Sequence, residues 1–160
     1  MKIRQATADD VEDMKKVLTE AFHESYIGAG EFYSSNEFVD PNYATSSGRY
    51  YNLQALLKDN LNNISNRLEE PFKAFVAVEN EIIGYAITEK HNGKLWINDM
   101  VVKPDQQKKG IGKKLFEVAT KNHEQVYIWV NSKNPAIKFW EKLGFDTVLE
   151  EKLMMTKLKK

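Results

Sequence analysis

The chain has 160 residues, which fits one domain with a sizeable core, and its 23 Lys and Arg balance its 23 Asp and Glu. This balance gives no reason to expect nucleic acid or an anionic membrane as a partner. No cysteine is present, which excludes disulfides, thiolate zinc sites and cysteine nucleophiles, and we expect no metal. The first residues lack the apolar segment of an export signal and no apolar run approaches a membrane span, so we expect a soluble, cytoplasmic protein.

The first half of the chain predicts one strand and two amphipathic helices. Lys2–Ala6 is a short strand, and Thr7 and Asp9 offer a cap and a first-turn acid for the helix that follows. Apolar residues at helical spacing define that helix: Val11, Met14, Leu18 and Phe22. A polar, aromatic segment with several Gly and Pro residues occupies roughly residues 24–49. The second helix has one apolar face: Leu53, Leu56, Leu57, Leu61, Ile64 and Leu68.

The middle of the chain predicts three strands. Phe72–Glu79 and Ile82–Lys90 alternate around an Asn80-Glu81 turn and indicate a hairpin. Lys94–Lys103 is a fourth strand, and Pro104 ends it.

The last part predicts a third helix over Ile111–His123, with an inner stripe of Ile111, Leu115, Val118 and Ala119. Val126–Val130 is apolar on both faces, which suits a central parallel strand. A short helix from Asn134 and strands near Phe145–Leu149 and Lys152–Leu158 follow. This order favours an α/β fold, a mixed sheet with helices on both faces.

The segment from Val101 to Leu115 points most directly to function. A strand runs into a short loop with five lysines and one aspartate over residues 103–114, and a helix begins directly behind it. Amides at such a loop have no helical partner, and the helix dipole adds positive charge, so the segment predicts an anion cradle. The alternative is an ordinary strand–turn–helix connection with a solvated basic face.

Two common phosphate-binding motifs do not fit this loop. A P-loop requires Ser or Thr after Gly-Lys, whereas Lys114 follows Gly112-Lys113. A dinucleotide fingerprint requires a third glycine, and Leu115 stands there.

The spacing Gln107-x-x-Gly110-x-Gly112 instead resembles the [Gln/Arg]-x-x-Gly-x-[Gly/Ala] loop of the GNAT superfamily of N-acetyltransferases. A second segment, Asn134-Pro-Ala-Ile-Lys-Phe-Trp-Glu-Lys-Leu-Gly-Phe145, is similar to the family's Asn-x-x-Ala-x-x-Phe-Tyr-x-x-x-Gly-Phe. Asn134, Pro135 and Gly144 also suit a helix cap, a first helical position and a helix end. The ordered pair of motifs is more specific than either alone.

The resemblance implies one GNAT domain over residues 1–160, with the GNAT acyl-CoA acyltransferase fold: a mixed, mostly antiparallel sheet, helices on both faces and splayed central parallel strands. It implies acetyl-CoA in the wedge between the fourth and fifth strands, near a bulge expected at Met100–Val102. The cofactor-binding residues that it implies are Met100, Val101, Val102, Gln107, Lys108, Lys109, Gly110, Ile111, Gly112, Lys113, Asn134 and Trp140. For Asn134 the alternative is a plain helix cap.

The acid–base groups are less well defined by the sequence. A primary alkylamine has a pKa near that of lysine, so about one molecule in a thousand is nucleophilic at pH 7. Asp99, beside the expected acetyl site, is the first candidate for the base, acting directly or through a water, and Glu89 and His91 are alternatives.

The group that protonates the leaving thiolate is also open. Many family members have a tyrosine on the last helix for this role, and this chain has Trp140, whose indole N–H cannot deliver a proton at this pH. Tyr127 and Tyr85 are possible substitutes, and simple packing is the alternative role for Trp140.

The acceptor is indicated by the segment between Val17 and Gly48, which has five acidic residues and no Lys or Arg. Five aromatic residues are interleaved with the acids: Tyr26, Phe32, Tyr33, Phe38 and Tyr43. The resemblance implies that this region walls the acceptor site. Such a wall suits a cationic amine through carboxylate and cation–π contacts, with Glu24, Tyr26 and Tyr33 as candidate contacts. The alternative is a solvated loop whose aromatic residues pack on the domain.

Two functions follow. The first is an acetyl-CoA-dependent N-acetyltransferase that acetylates a small-molecule or peptide amine (a small amine, a polyamine or an amino-terminal group), as a monomer or homodimer. The second is a CoA-binding module with little or no transferase activity.

Overall fold

The computed structural model describes residues 1–22, 53–128 and 137–146. Its helices and strands, in chain order, are β1 (Lys2–Gln5), α1 (Val11–Phe22), α2 (Leu53–Asn63), β2 (Phe72–Glu79), β3 (Glu81–His91), β4 (Lys94–Val102), α3 (Ile111–Ala119), β5 (Val126–Ile128) and α4 (Ile137–Lys142). No helix in these three ranges is long and apolar enough to cross a membrane.

The five strands form one open sheet in the order β1-β2-β3-β4-β5. Strands β1 to β4 pair antiparallel, and β5 runs parallel to β4. This confirms the predicted mixed, mostly antiparallel sheet. Beyond Ile97, its last residue paired with β5, β4 continues for five residues to Val102, whereas the described part of β5 ends at Ile128.

Apolar residues are buried on both faces of the sheet, as its alternating strands require. On one face Tyr85 and Ile87 of β3 pack against α1 and α2. On the other face Ile83 and Ala86 pack against α3. The two faces are called the α1/α2 face and the α3 face below.

Thr7 caps the first turn and Asp9 lies in that turn, as the sequence predicts. Asp10, which the sequence analysis did not single out, accepts hydrogen bonds from the Thr7 N–H at 2.8 Å and from both Arg4 guanidinium nitrogens at 2.7 and 2.9 Å. This reciprocal arrangement with Thr7 is a capping box around a single 3-10 turn, Ala8–Asp10.

Helix α2 ends at Asn63 and continues as a 3-10 turn, Ile64–Arg67, although the apolar face predicted a helix as far as Leu68. Asn60, Asn62 and Asn63 are weak helix formers and loosen the end of the helix. Ile64 is nevertheless buried in the core.

Helix α3 is also shorter than predicted, since it ends at Ala119 rather than His123. The Thr120 hydroxyl donates to the Phe116 carbonyl at 2.7 Å, and Asn122 has a positive φ of 69°. Both features favour a turn over a helix. The predicted inner stripe is correct for Ile111, Leu115 and Ala119 and wrong for Val118, which is 38% exposed.

Several predicted elements lie wholly or partly outside the described residues. These are the polar segment 24–49, residues 129–130 of the predicted fifth strand, Asn134, and the two C-terminal strands apart from Phe145 and Asp146.

Candidate active site

The connection between β4 and α3 is held in shape by two residues with left-handed backbone. A 3-10 turn, Pro104–Gln106, follows β4, and Lys108 and Gly110 then have φ values of 64° and 82°. Glycine adopts such a φ without the steric cost that other residues incur. The Gly110 carbonyl accepts the first bond of α3, from the Lys114 N–H at 3.1 Å. The loop thereby turns directly into the helix.

The amides of this loop are those for which the sequence predicts an anion cradle. Ile111, Gly112 and Lys113 occupy the first turn of α3, where amides have no acceptor within the helix. Within the described ranges, no amide from Lys108 to Lys113 donates to a backbone carbonyl. A row of N–H groups at a helix N-terminus is suited to a phosphate group.

The charged side chains around the loop divide into two groups. Lys103 is paired with Glu81 at 2.7 Å, and this hydrogen bond raises the pKa of Lys103 and lowers the pKa of Glu81. Lys108, Lys109 and Lys113 are exposed and form no ion pair with a described carboxylate. These three lysines provide the positive field of the cradle.

Gln107 has a different local role from its neighbours. Its side-chain Nε2 donates to the Val102 carbonyl at 3.0 Å, which ties the loop back to the end of β4. The Gln107 side chain therefore fixes the loop on the strand.

The end of β4 presents two further amides beside the loop. The Lys103 N–H donates to the Ile83 carbonyl of β3 at 2.9 Å. Because strand bonds alternate in direction, the N–H of Val101 also turns toward β3, and those of Met100 and Val102 turn toward the β5 side. Three residues of this strand end are predicted to bind the cofactor. Of these, Met100 and Val102 are therefore the two whose N–H groups are not used in pairing with β3.

The β4 bulge lies earlier than predicted. The β3–β4 register shifts between Ile87, which pairs with Asp99, and Thr88, which pairs with Ile97, so Asn98 is the extra residue. The prediction of a bulge at Met100–Val102 is therefore wrong, since those residues pair regularly with β3.

Polar side chains converge at this bulge on the α1/α2 face. The Asn98 Nδ2 donates to Glu89 Oε1 at 2.7 Å, and Asp99 Oδ2 lies 3.5 Å from Arg67 Nη1. The Arg67 guanidinium also lies 5.9 Å from the centre of the Phe72 ring. The bulge thus brings Asp99 and Glu89, two of the predicted base candidates, to one place. These four polar residues (Arg67, Glu89, Asn98 and Asp99) are called the bulge cluster below.

His91, the third base candidate, does not belong to the bulge cluster. It pairs with Lys94 beside the hairpin turn at the far end of β3, and its side chain is exposed. It lies four positions beyond Ile87 on the strand, a distance of about 13 Å.

Trp140 is 8% exposed and packs between α3 and α4 in a group of aromatic rings. Its ring centre lies 6.5 Å from that of Phe116 and 5.5 Å from that of Phe145, both edge to face.

Phe139, the neighbour of Trp140, is 37% exposed. A β-carbon added at Gly112 would lie 3.1 Å from Phe139 Cζ and 3.8 Å from Met100 Sδ. Phe139 is therefore the residue of α4 that borders the loop.

The two alternative tyrosines are placed differently. Tyr85 is fully buried in the core beneath α1. The Tyr127 hydroxyl lies 3.4 Å from Gln125 Oε1, and its ring stacks at 5.1 Å on Trp96. Neither contact involves the loop or α4.

The remaining predicted site residues, Asn134, Glu24, Tyr26 and Tyr33, lie outside the described residues. Within the described ranges, no group of three His, Cys, Asp or Glu side chains is placed to hold a metal ion.

Sequence reasoning missed Arg67, Asn98 and Phe139. Arg67 is distant in sequence from Asp99, so only the packing of the turn after α2 reveals the contact. Asn98 becomes notable only through the register shift. Phe139 had a signal, because it stands within the second family motif.

Comparison with known proteins gives one family match. Residues 70–147 match the family model of the acetyltransferase (GNAT) domain. No curated protein matches the chain.

Solved structures share the fold over nearly the whole chain. PaiA N-acetyltransferase from Thermoplasma acidophilum, in complex with coenzyme A, is 24% identical with a TM-score of 0.63, covering 91% of this chain and 89% of that one. The ribosomal-protein-S18-alanine N-acetyltransferase from Escherichia coli is 17% identical with a TM-score of 0.60, over 92% and 79% of the two chains. AAC(6')-Iy, in complex with the bisubstrate analogue CoA-S-monomethyl-acetylneamine, is 14% identical with a TM-score of 0.54, over 93% and 92%.

The matched range 70–147 contains β2 to β5, the loop with its amide cradle, the β4 bulge and α4. The sheet topology agrees with that of the solved acetyltransferases. Residues 70–147 therefore belong to the GNAT acetyltransferase family of acyltransferase enzymes, and the described residues share the fold of solved acetyltransferases.

Proposed function

We propose that this chain, as one domain over residues 1–160, transfers the acetyl group of acetyl-CoA to a primary amine by direct attack in a ternary complex. The observation that carries the proposal is the amide row of Lys108–Lys113 at the start of α3, adjoining the β5-side amides of Met100 and Val102. We further propose a cytoplasmic monomer or homodimer that takes a small-molecule or peptide amine.

The amide row is suited to the pyrophosphate of acetyl-CoA. Gly110 and Gly112 leave the backbone accessible, and Lys108, Lys109 and Lys113 add positive charge. PaiA, whose solved structure contains coenzyme A, supports this ligand class. Asn134, by its place in the family motif, would hydrogen-bond the pantetheine arm.

The amides of Met100 and Val102 are suited to the acyl end. Attack by an amine on a thioester converts the carbonyl oxygen into an oxyanion, and a preorganised N–H donor stabilises that charge. A strand amide turned away from β3 has the required rigidity, since β4 is anchored along its length by β3.

The amine must lose a proton, and the bulge cluster supplies the carboxylates for this. Asp99 remains the first candidate, directly or through a water, and Glu89 is the alternative. Both carboxylates lie on the α1/α2 face, which is also the face of the helices that flank residues 23–52. Acceptor contacts from Glu24, Tyr26 and Tyr33 are therefore compatible with this assignment.

The leaving thiolate needs no strong acid. A thiol has a pKa of roughly 8.5, so thiolate is a tolerable leaving group near neutral pH. We assign Trp140 a packing role under the cofactor, which agrees with its burial against Phe116 and Phe145.

The second candidate function is a CoA-binding module with little or no transferase activity. Two observations favour it: Trp140 replaces the usual tyrosine, and Asp99 already faces the Arg67 guanidinium.

One experiment separates the two functions. The chain is incubated with acetyl-CoA and a panel of amines (polyamines, aminoglycosides, amino acids and short peptides), and free thiol is followed with time. Amine-dependent thiol release at turnover rates above about 0.1 per second supports the transferase, since enzyme turnover is typically about 1 per second or faster. Tight CoA binding without amine-dependent release supports the binding module.

A further inference from the structure

A cavity of about 200 Å³ lies on the α3 face of the sheet, at the C-terminal end of α3. It is separate from the loop, which is at the N-terminal end of the same helix, about 12 Å away along the helix axis. None of its lining residues belongs to the predicted site. The lining consists of Glu70, Pro71, Lys73, Phe75, Thr88, Lys90, Leu95, Val118, Ala119, Lys121 and His123.

The floor of this cavity is apolar. Phe75 and Leu95 come from the sheet, and Val118 and Ala119 come from the last turn of α3. The helix pattern did not predict that Val118 is exposed. Its exposure results from its position in the floor of the cavity. A floor of this kind favours a ligand with an apolar body.

The rim is cationic. Lys73, Lys90 and Lys121 surround the opening, and none of them forms an ion pair with a carboxylate of the described residues. Glu70 is the one acidic residue among the lining residues. The balance of charge at the rim therefore favours an anion, although the chain as a whole has no net charge.

The C-terminal end of α3 carries partial negative charge, but it does not repel an anion in the cavity strongly. The Phe116 carbonyl accepts from the Thr120 N–H and hydroxyl, and the Val118 and Thr120 carbonyls accept from the amides of Lys121 and His123. Carbonyls that would carry the negative end of the helix dipole are thus already hydrogen-bonded.

A buried hydroxyl also faces the cavity. Thr88 is 2% exposed and lines the cavity. Its hydroxyl can donate a hydrogen bond to a ligand oxygen placed there.

We propose that this cavity binds a small monocarboxylate with an apolar body. The apolar part lies on the floor, and the carboxylate accepts from the rim lysines and the Thr88 hydroxyl. A volume of 200 Å³ accommodates a ligand on the order of seven to ten non-hydrogen atoms. The site does not depend on the proposed acetyl transfer, because the length of α3 separates it from the loop and the sheet separates it from the bulge cluster.

Benzoate, with about nine non-hydrogen atoms, is the probe, and benzamide is its neutral control of the same shape. Binding to the full chain is followed by two-dimensional NMR, with and without saturating CoA. We expect benzoate to shift the amide signals around Thr88, Lys90 and Ala119 saturably, and benzamide to bind at least about threefold more weakly. CoA should leave the benzoate affinity unchanged.

Two variants test the contacts. Thr88→Val removes the hydroxyl and keeps the shape, and it should weaken benzoate about three- to tenfold and benzamide less, because an amide oxygen is the weaker acceptor. Lys90→Gln should weaken benzoate about two- to fivefold. Lys58→Gln, on α2 and outside the cavity, is the matched control and should change nothing.

Equal affinity for benzoate and benzamide, or an affinity that both Thr88→Val and Lys90→Gln leave unchanged, would overturn the proposal. Displacement of benzoate by CoA would also overturn it, because the anion would then be bound at the loop.

Discussion

Arg67 of the turn after α2 faces Asp99 of the β4 bulge, with Nη1 3.5 Å from Oδ2. Glu89, the other carboxylate of the bulge cluster, faces the neutral amide of Asn98 at 2.7 Å instead. A guanidinium favours the ionised form of a neighbouring carboxylate. The two acids of the cluster are therefore held by chemically different partners.

The first prediction concerns Asp99. Asp99→Asn preserves the shape and removes the proton acceptor, so kcat with the best amine should fall about a hundredfold while CoA affinity stays the same. Steady-state kinetics and a CoA titration measure the two effects. Glu89→Gln is the matched control, and we expect a smaller loss. If Glu89→Gln causes the large loss and Asp99→Asn does not, Glu89 is the base.

The second prediction uses two glycines with similar backbone. Gly110 (φ 82°) and Gly93 (φ 74°) both have open space where a β-carbon would stand. Each change to Ala should lower the free energy of unfolding by about 1–2 kcal/mol through left-handed strain. Only Gly110→Ala should also weaken CoA binding, because only Gly110 lies in the cradle. Equal CoA affinity in the two variants, measured by calorimetry, would refute the pyrophosphate assignment.

Gly112→Val tests the same cradle less cleanly. An added β-carbon would lie 3.1 Å from Phe139 Cζ, so the substitution would also disturb the packing of α4 on α3. Overpacking of this kind costs typically about 1–3 kcal/mol. The structure therefore favours Gly110→Ala over Gly112→Val as the test of the cradle.

The third prediction concerns the exposed lysines of the loop. CoA affinity should fall about three- to tenfold as ionic strength rises from 0.05 to 0.5 M, because solvated charges are screened over shorter distances. Replacing Lys108, Lys109 and Lys113 with Gln should flatten this dependence, whereas Lys58→Gln should not. Calorimetric titrations in a salt series measure it. An affinity of the native chain that does not change with salt would show that these lysines do not attract the ligand.

The fourth prediction concerns Trp140. Trp140→Phe should keep most of the turnover rate, and Trp140→Tyr should raise it only modestly, because a thiolate leaves with little assistance. Both variants keep an aromatic ring against Phe116 and Phe145. An increase of about a thousandfold in kcat for Trp140→Tyr would show that protonation of the leaving group limits the native chain. The chain would then be described better as a CoA-binding module.

The fifth prediction concerns pH and the capping box. Hydrogen bonds from Arg4, and then from Thr7, lower the pKa of Asp10 to about 2 from an ordinary 3.8. A lowered pKa stabilises the fold above the unfolded-state value, and this contribution is lost as the pH falls through the folded-state value. Asp10→Asn should therefore lower the free energy of unfolding by about 1–2 kcal/mol at pH 7, reduced from the full linkage value because Arg4 is partly exposed. Denaturation at pH 7, 4 and 2 should show the difference between the two proteins shrinking from pH 4 to pH 2. A constant difference over that range would contradict this account.

The elements that sequence predicted well are those with a strong local signal. Alternation in Phe72–Glu79 and Ile82–Lys90 reproduces β2 and β3 to within one residue at each end, and Asn80 with a φ of 63° sits at the predicted turn. Gly144, predicted as a helix end, has a φ of 98°, and the Gly144 N–H and Phe145 N–H donate to the carbonyls of Glu141 and Trp140.

The features that sequence missed depend on pairing between distant segments. The position of the bulge at Asn98 follows from how β3 and β4 align around Thr88 and Ile97, and no local pattern in β4 reveals it. The same holds for the contact of Arg67 with Asp99, 32 residues apart. The cavity behind Thr88 is likewise lined by residues of three strands and of the end of α3, which lie far apart in the sequence.

The described part of α4, Ile137–Lys142, has six residues, and an isolated helix of that length is not stable in water. Its last hydrogen bonds are donated by the N–H groups of Gly144 and Phe145. They lie beside a packed group of four rings: Phe116, Phe139, Trp140 and Phe145. Local unfolding of α4 therefore requires separating those rings, so the hydrogen-exchange protection of its last amides reports ring packing rather than helix propensity. Phe139 of α4 borders Gly112, so this side of the loop is only as stable as the contact of α4 with α3. It can open while the β2–β3–β4 core stays folded.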